Sequence, residues 1–208
     1  MFDISILMTY VMIVAGFSAL PGPAVLLTTA RSVSSGTRAG IATSLGIATG
    51  DLLHTVLAVL GVSAILMASA VAFTIMKYVG AAYLIYLGVK AILGSNPSFE
   101  PPAERRVTPK MAFKQGVLCE ALNPKSAMFF LAFLPQFVQT GSGSVSLQLS
   151  VLGLLFVAIG AAVTIGYACA AGRVGVFLRH SPMMVKWQNR IVGSLFCALG
   201  VHLALQKR

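Results

Sequence analysis

Long apolar runs separated by short polar gaps set the pattern of this chain. No charged residue occurs from Ile4 to Ala30, from Leu52 to Met76, or from Ser126 to Gly172. A membrane span needs about 20 apolar residues. The first two runs can each hold one crossing, and the third must hold more. The pattern predicts spans at 4–29, 40–66, 71–93, 112–137, 146–171 and 191–206. Between them, Arg31 to Arg38 reads as a polar loop, and Gly141-Ser142-Gly143-Ser144 as a turn. Arg173 to Arg190 reads as a basic connection. The boundary between the second and third spans is weakly marked. Met1-Phe2-Asp3 carries no basic segment, so the first run is expected to be a span and not a cleaved signal.

Two of these spans are interrupted by proline. The first contains Ala19-Leu20-Pro21-Gly22-Pro23, and the fourth contains Ala121-Leu122-Asn123-Pro124-Lys125. Proline lacks a donor and clashes with the preceding turn. In hydrocarbon, each backbone group it frees must be satisfied by other protein groups or by a cavity. Paired breaks at corresponding places in two halves point to a transporter's binding site. The expected fold is therefore an all-α integral membrane protein. Six helices would form two inverted three-helix repeats, with helices one and four broken. The halves are 1–93 and 111–208, joined by a linker at 94–110 stiffened by Pro101, Pro102 and Pro109. Gly80 before Leu87-Gly88-Val89 is echoed by Gly193 before Leu199-Gly200-Val201.

Composition agrees with a bilayer location. The 208 residues are 57% hydrophobic and 10% charged, against about 25% charged in soluble domains. Mean hydropathy is +0.89. The net charge of +10 does not point to nucleic acid, because the basic residues lie in gaps between apolar runs. Most fall after spans one, three and five: Arg31, Arg38, Arg105, Arg106, Lys110, Lys114, Arg173, Arg179, Lys186 and Arg190. The positive-inside rule then makes the 94–110 linker cytoplasmic and both termini periplasmic. Cys119, Cys169 and Cys197 have neither metal-ligand nor disulfide spacing.

Of five acids, only Asp51 and Glu120 fall inside predicted spans. An acid near mid-membrane costs about 2.5–3.5 kcal/mol on insertion scales; it reads as a proton or cation site facing a cavity, with a hydrogen-bonded structural acid or one half of a fixed ion pair as the alternative. Asp51 is the candidate coupling residue, and Glu120 the second acid. Lys125 has two options: an ion pair with one of these acids, or contact with an anionic substrate group. His54, three residues beyond Asp51, shares its helix face and could share its proton; a packed histidine is the structural alternative. A helix restarting after Pro23 or Lys125 would point N–H groups and a positive dipole end into the gap, while the half-helix before it leaves bare carbonyls. Such a gap suits a zwitterion, carboxylate to N–H groups and ammonium to carbonyls and an acid. Ala42, Gly46 and Gly50 form a small-residue face for close helix packing or an oligomer contact such as a homodimer.

These residues carry a family resemblance. The chain resembles the lysine exporter (LysE/RhtB) family of amino-acid efflux permeases over essentially its whole length. The matching motifs are Pro21-Gly22-Pro23, Gly46-Ile47-Ala48-Thr49-Gly50-Asp51 and Asn123-Pro124-Lys125. The resemblance implies a bacterial inner-membrane exporter driven by the proton gradient, with an amino acid as substrate and no cofactor. Pro21, Gly22, Pro23, Asn123, Pro124 and Lys125 would shape its central site, beside Gly50 and Asp51. A metal exporter would need a His/Cys/carboxylate cluster, which the sequence lacks. An intramembrane aspartyl protease would need glycine where Ala48 stands and a second intramembrane aspartate. A purely structural membrane protein would not need paired breaks.

Overall fold

A computed structural model describes residues 3–19, 22–64, 70–93, 106–139, 141–180 and isolated positions between 187 and 205. Pro21, linker residues 94–105 and half of the expected sixth span lie outside the described residues. All regular structure within them is helical. Helix α1 is Ile4–Ala19, α2 is Pro23–Ser35 and α3 is Thr37–Leu57, extended by a π-helical turn at Ala58–Val62. Then come α4 (Ala70–Leu93), α5 (Pro109–Ala121), α6 (Pro124–Met128) and α7 (Val145–His180). A π turn (Phe129–Phe133) and a 3-10 turn (Leu134–Phe137) follow α6.

Thr37–Val62 and Val145–Ala171 are each long and apolar enough to cross a membrane. So are two bent pairs, α1 with α2 at 51° and α5 with the segment Pro124–Phe137 at 44°. Each second member starts with proline at its first helical position, where the missing N–H is harmless. Large apolar side chains such as Ile4, Leu60, Val71 and Leu118 stay exposed on the outside, as lipid contact allows and water would not.

Two expectations are corrected. The segment Arg31–Ser35 is the last turn of α2, not part of a loop, and the connection to α3 shrinks to Gly36. No proline or glycine interrupts Ala24–Ser35, whereas Gly36 takes φ +92°, where a side chain would be strained. Likewise α7 runs on through the expected basic connection to His180. The first proline beyond it is Pro182, and a residue before proline is biased out of the helical region.

Glycine sets the closest helix contact. A Cβ on Gly46 would lie 2.1 Å from the Phe113 carbonyl oxygen, and one on Gly116 2.3 Å from that of Thr43. A Cβ on Gly50 would meet Glu120 Cβ at 2.6 Å. Helices α3 and α5 thus touch backbone to backbone and run parallel. The expected small-residue face is used here within the chain. Parallel pairing also joins α1 to α7, where Tyr10 Oη donates to the Leu152 carbonyl (2.7 Å) and Tyr167 Oη to that of Ala19 (2.8 Å). By contrast α4 runs antiparallel to the 193–200 segment, with Gly88 against Gly193 and Gly200 against Ala81. Phe17, Phe129, Phe130 and Phe156 form a buried aromatic cluster, with Phe17–Phe129 centroids 4.6 Å apart and Phe129–Phe156 4.8 Å.

Gly46→Val and Gly116→Val are expected to cost at least about 1–3 kcal/mol each, because the atoms met are backbone that cannot rotate away. Thermal unfolding in detergent measures this. Gly166→Ala, with nothing within 4 Å of its added Cβ, should leave stability unchanged or slightly raised.

Candidate functional site

The two helix breaks face one cavity. It encloses, with its open mouth, about 410 Å³. Its polar wall holds Ser18, Asp51, Glu120, Asn123, Lys125 and Ser126. Gly22, Ala24 and Val25 come from the first break, and Phe17, Ile47 and Phe156 add apolar surface. Of the residues the sequence singled out, Gly22, Asp51, Glu120, Asn123 and Lys125 line it together. Pro23 and Pro124 stand behind as exposed first helical residues. Gly50 acts indirectly: its missing Cβ leaves room for Glu120 beside Asp51.

The second break is internally satisfied. Asn123 caps α6, its Oδ1 accepting from the Lys125 backbone N–H at 3.0 Å. Its Nδ2 donates to both Glu120 carboxylate oxygens at 3.2 Å and to Ser126 Oγ at 3.3 Å. Ser126 Oγ in turn donates to Glu120 Oε1. Glu120 is thereby buried in a fixed orientation, in the same cavity wall as Asp51. Asp51 is only 3% exposed, and its Oδ1 has no hydrogen-bond partner among the described residues. An unsatisfied buried acceptor costs about 1–3 kcal/mol, so Oδ1 marks a place where a donor is awaited.

The first break is closed on one side and open on the other. The carbonyls ending α1 are occupied: Lys125 Nζ donates to Phe17 O at 3.1 Å, and Tyr167 takes Ala19 O. Lys125 Nζ also lies 4.1 Å from the Phe17 ring centroid, a cation–π contact. These carbonyls are therefore not the bare acceptors the sequence suggested. The α2 start differs. Gly22 gives no side-chain cap, and the first helical bond runs from Leu26 N–H to Gly22 O. Ala24 and Val25 are both in the cavity wall, and their N–H groups have no partner within the helix. They and the dipole end favour an anion.

His54 is placed elsewhere. Its Nε2–H donates to the Glu120 backbone carbonyl at 2.9 Å, and its ring stacks on Phe130 at 5.7 Å. The ring supports the α5 end and is not part of the cavity wall. Sequence reasoning missed Ser18, Ser126, Gly160 and Thr164. Gly160 keeps the wall thin beside Asp51, since a Cβ there would lie 3.6 Å from Asp51 Oδ2. Among the described residues no group of three His, Cys, Asp or Glu side chains is arranged to hold a metal ion.

Asn123→Ala removes the α6 cap and one of the two donors to Glu120, leaving Ser126. It should cost about 2–4 kcal/mol, the sum of a lost cap and lost hydrogen bonds to a buried carboxyl, read by thermal unfolding in detergent. Pro124→Ala leaves both intact and should cost under about 1 kcal/mol.

The chain as a whole has known relatives. Residues 15–207 match the family described as LysE type translocator. A protein of Vibrio cholerae described as an uncharacterized membrane protein is 32% identical over 99% of each chain. The homoserine/homoserine lactone efflux protein of Salmonella typhimurium is 31% identical over 90% of each. The leucine efflux protein of Salmonella choleraesuis is 28% identical, covering 89% of this chain and 88% of its own. No solved structure matches at a significant level. With the family match spanning nearly the whole chain and both breaks at one intramembrane cavity, the protein is a membrane protein of the LysE type translocator family.

Proposed function

We propose that the protein is a secondary transporter that exports amino acids or close derivatives across the bacterial inner membrane by proton antiport. The carrying observation is the cavity where the open α2 N-terminus faces Asp51 and Glu120. Its two ends match the two ends of an amino acid. The substrate carboxylate takes the Ala24 and Val25 N–H groups, near the Lys125 ammonium. The substrate ammonium takes Asp51 Oδ1, which lacks a partner. Relatives named for efflux of homoserine and of leucine support the substrate class.

Coupling follows from competition. Two carboxylates buried in one cavity wall repel strongly in low dielectric, which favours a proton on one of them. With Lys125 supplying one positive charge in the same wall, the Asp51–Glu120 pair needs one more, from a proton or from the substrate ammonium but not from both together. Substrate binding on the cytoplasmic side displaces the proton; a proton entering from outside displaces the substrate. That exclusion is what antiport needs.

We read the chain as six spans in two inverted halves, 1–93 and 111–208, joined by a cytoplasmic linker at 94–110. Helix directions support this. Alternating crossings make spans two and four parallel, one and five parallel, and three and six antiparallel, as the glycine and tyrosine contacts run. Arg38, Arg106, Lys110 and Lys114 are exposed at one end, which the positive-inside rule makes cytoplasmic.

In proteoliposomes loaded with L-homoserine or L-leucine, a pH gradient should drive flux by the wild type. Asp51→Asn should lower it to the level of empty vesicles, with folded yield kept. Normal, fully proton-coupled flux in Asp51→Asn would refute the coupling role. For orientation, Arg106→Cys in a cysteine-free background should escape an impermeant thiol reagent in intact cells and react in inverted vesicles. Labelling in intact cells would reverse the topology.

A further inference from the structure

The cavity does not end the polar surface of α2. Ala24 and Val25 line it, and the same helical face continues three and four residues on through Thr28, Arg31 and Ser32. All three are buried; Arg31 is 8% exposed. Among the described residues, Thr28 Oγ1, Thr29 Oγ1, Arg31 Nε and Ser32 Oγ have no hydrogen-bond partner. Other helical hydroxyls here bond back to their own helix, Thr43 to Ala39 O at 2.9 Å and Thr55 to Asp51 O at 2.9 Å. That is the ordinary resting arrangement. The α2 hydroxyls make no such bond.

Three neighbouring helices pack around this level. Ser32 packs against Gly40 and Ala168, because a Cβ on Gly40 would strike Ser32 Oγ and approach Ala168 Cβ at 3.1 Å. Gln115 Oε1, also buried without a partner among the described residues, belongs to the residue preceding Gly116, where α5 meets Thr43. Beyond it the Val107 N–H donates to Ser35 Oγ at 3.0 Å, next to the exposed basic residues of that end. The unsatisfied groups therefore connect the central cavity to the basic end over about 10 Å of helix rise.

We propose that this face of α2 walls the substrate's route between the cytoplasm and the central cavity, closed in this conformation, and that Arg31 is a transient binding group for the substrate carboxylate on that route. The side chains left without partners here are the ones that water and substrate satisfy when the route opens. Arg31 offers a guanidinium donor to a carboxylate, one to two turns before the α2 N-terminal amides that receive it in the cavity. The assignment rests on reading the cavity as the substrate site.

The test uses full-length protein with Cys119, Cys169 and Cys197 replaced by alanine, in inverted membrane vesicles. Thr28→Cys and Ser32→Cys should react with a small, water-soluble methanethiosulfonate reagent roughly tenfold faster than Val33→Cys, on the half-exposed outer face of α2, and L-homoserine or L-leucine should slow them. If both react no faster than Val33→Cys, with and without either amino acid, the route is elsewhere. This readout does not need transport. Reactive thiols with no amino-acid flux would overturn the exporter reading and keep the route, whereas flux with unreactive thiols would do the reverse. For the carboxylate contact, Arg31→Gln should raise KM for export about tenfold or more, the worth of a hydrogen bond to a charged group, with Arg31→Lys between. An unchanged KM in folded Arg31→Gln would overturn Arg31's role.

Discussion

Everything at the site depends on how closely α3 and α5 approach. Gly46, Gly50 and Gly116 remove the side chains that would hold these helices apart, and their backbones touch. Without a hydrophobic drive between helices in lipid, packing of this kind is a main source of association. It also fixes the chemistry. Gly50 leaves room for Glu120 one residue from Asp51's level, so two carboxyls come together inside a bilayer-sized bundle. Such a pair is costly to bury, and it survives because Asn123, Ser126 and the nearby Lys125 are held around it.

The two breaks play unlike parts in this arrangement, although the sequence presents them as echoes. The second is a scaffold. Asn123 caps its own short helix and orients Glu120, and Lys125 reaches across to a carbonyl of the first break. The first is the one we read as receptive, because Gly22 offers no side-chain cap to the start of α2 beside the cavity. Lys125 therefore ties the halves together as well as contributing positive charge. The stacking of Phe17, Phe129 and Phe156 seals the cavity on its apolar side.

What was legible in the sequence was what single residues impose on a helix or a bilayer. Proline breaks a helix wherever it stands, so both interruptions could be read. An isolated acid in an apolar run must face protein, so Asp51 and Glu120 could be read as well. What was not legible depends on rotation and on distant neighbours. Arg31 beside Ser32, Ser34 and Ser35 has the composition of a loop, and only packing against α3 and α7 makes it a buried helical residue. His54 shares a face with Asp51, yet its ring is taken by the Glu120 carbonyl. The carbonyls of Phe17 and Ala19 were expected to be bare, but partners from the other half of the chain cover them. The π turns at Ala58–Val62 and Phe129–Phe133 leave no mark in composition.

The central claim is that proton and substrate ammonium compete for the Asp51–Glu120 pair. Proton release on binding tests it most directly. In detergent, L-homoserine or L-leucine would be titrated calorimetrically in two buffers of different ionisation enthalpy. The competition predicts a buffer-dependent heat from proton release in the wild type, and none in Asp51→Asn. Tight binding by the wild type with no proton released would contradict it.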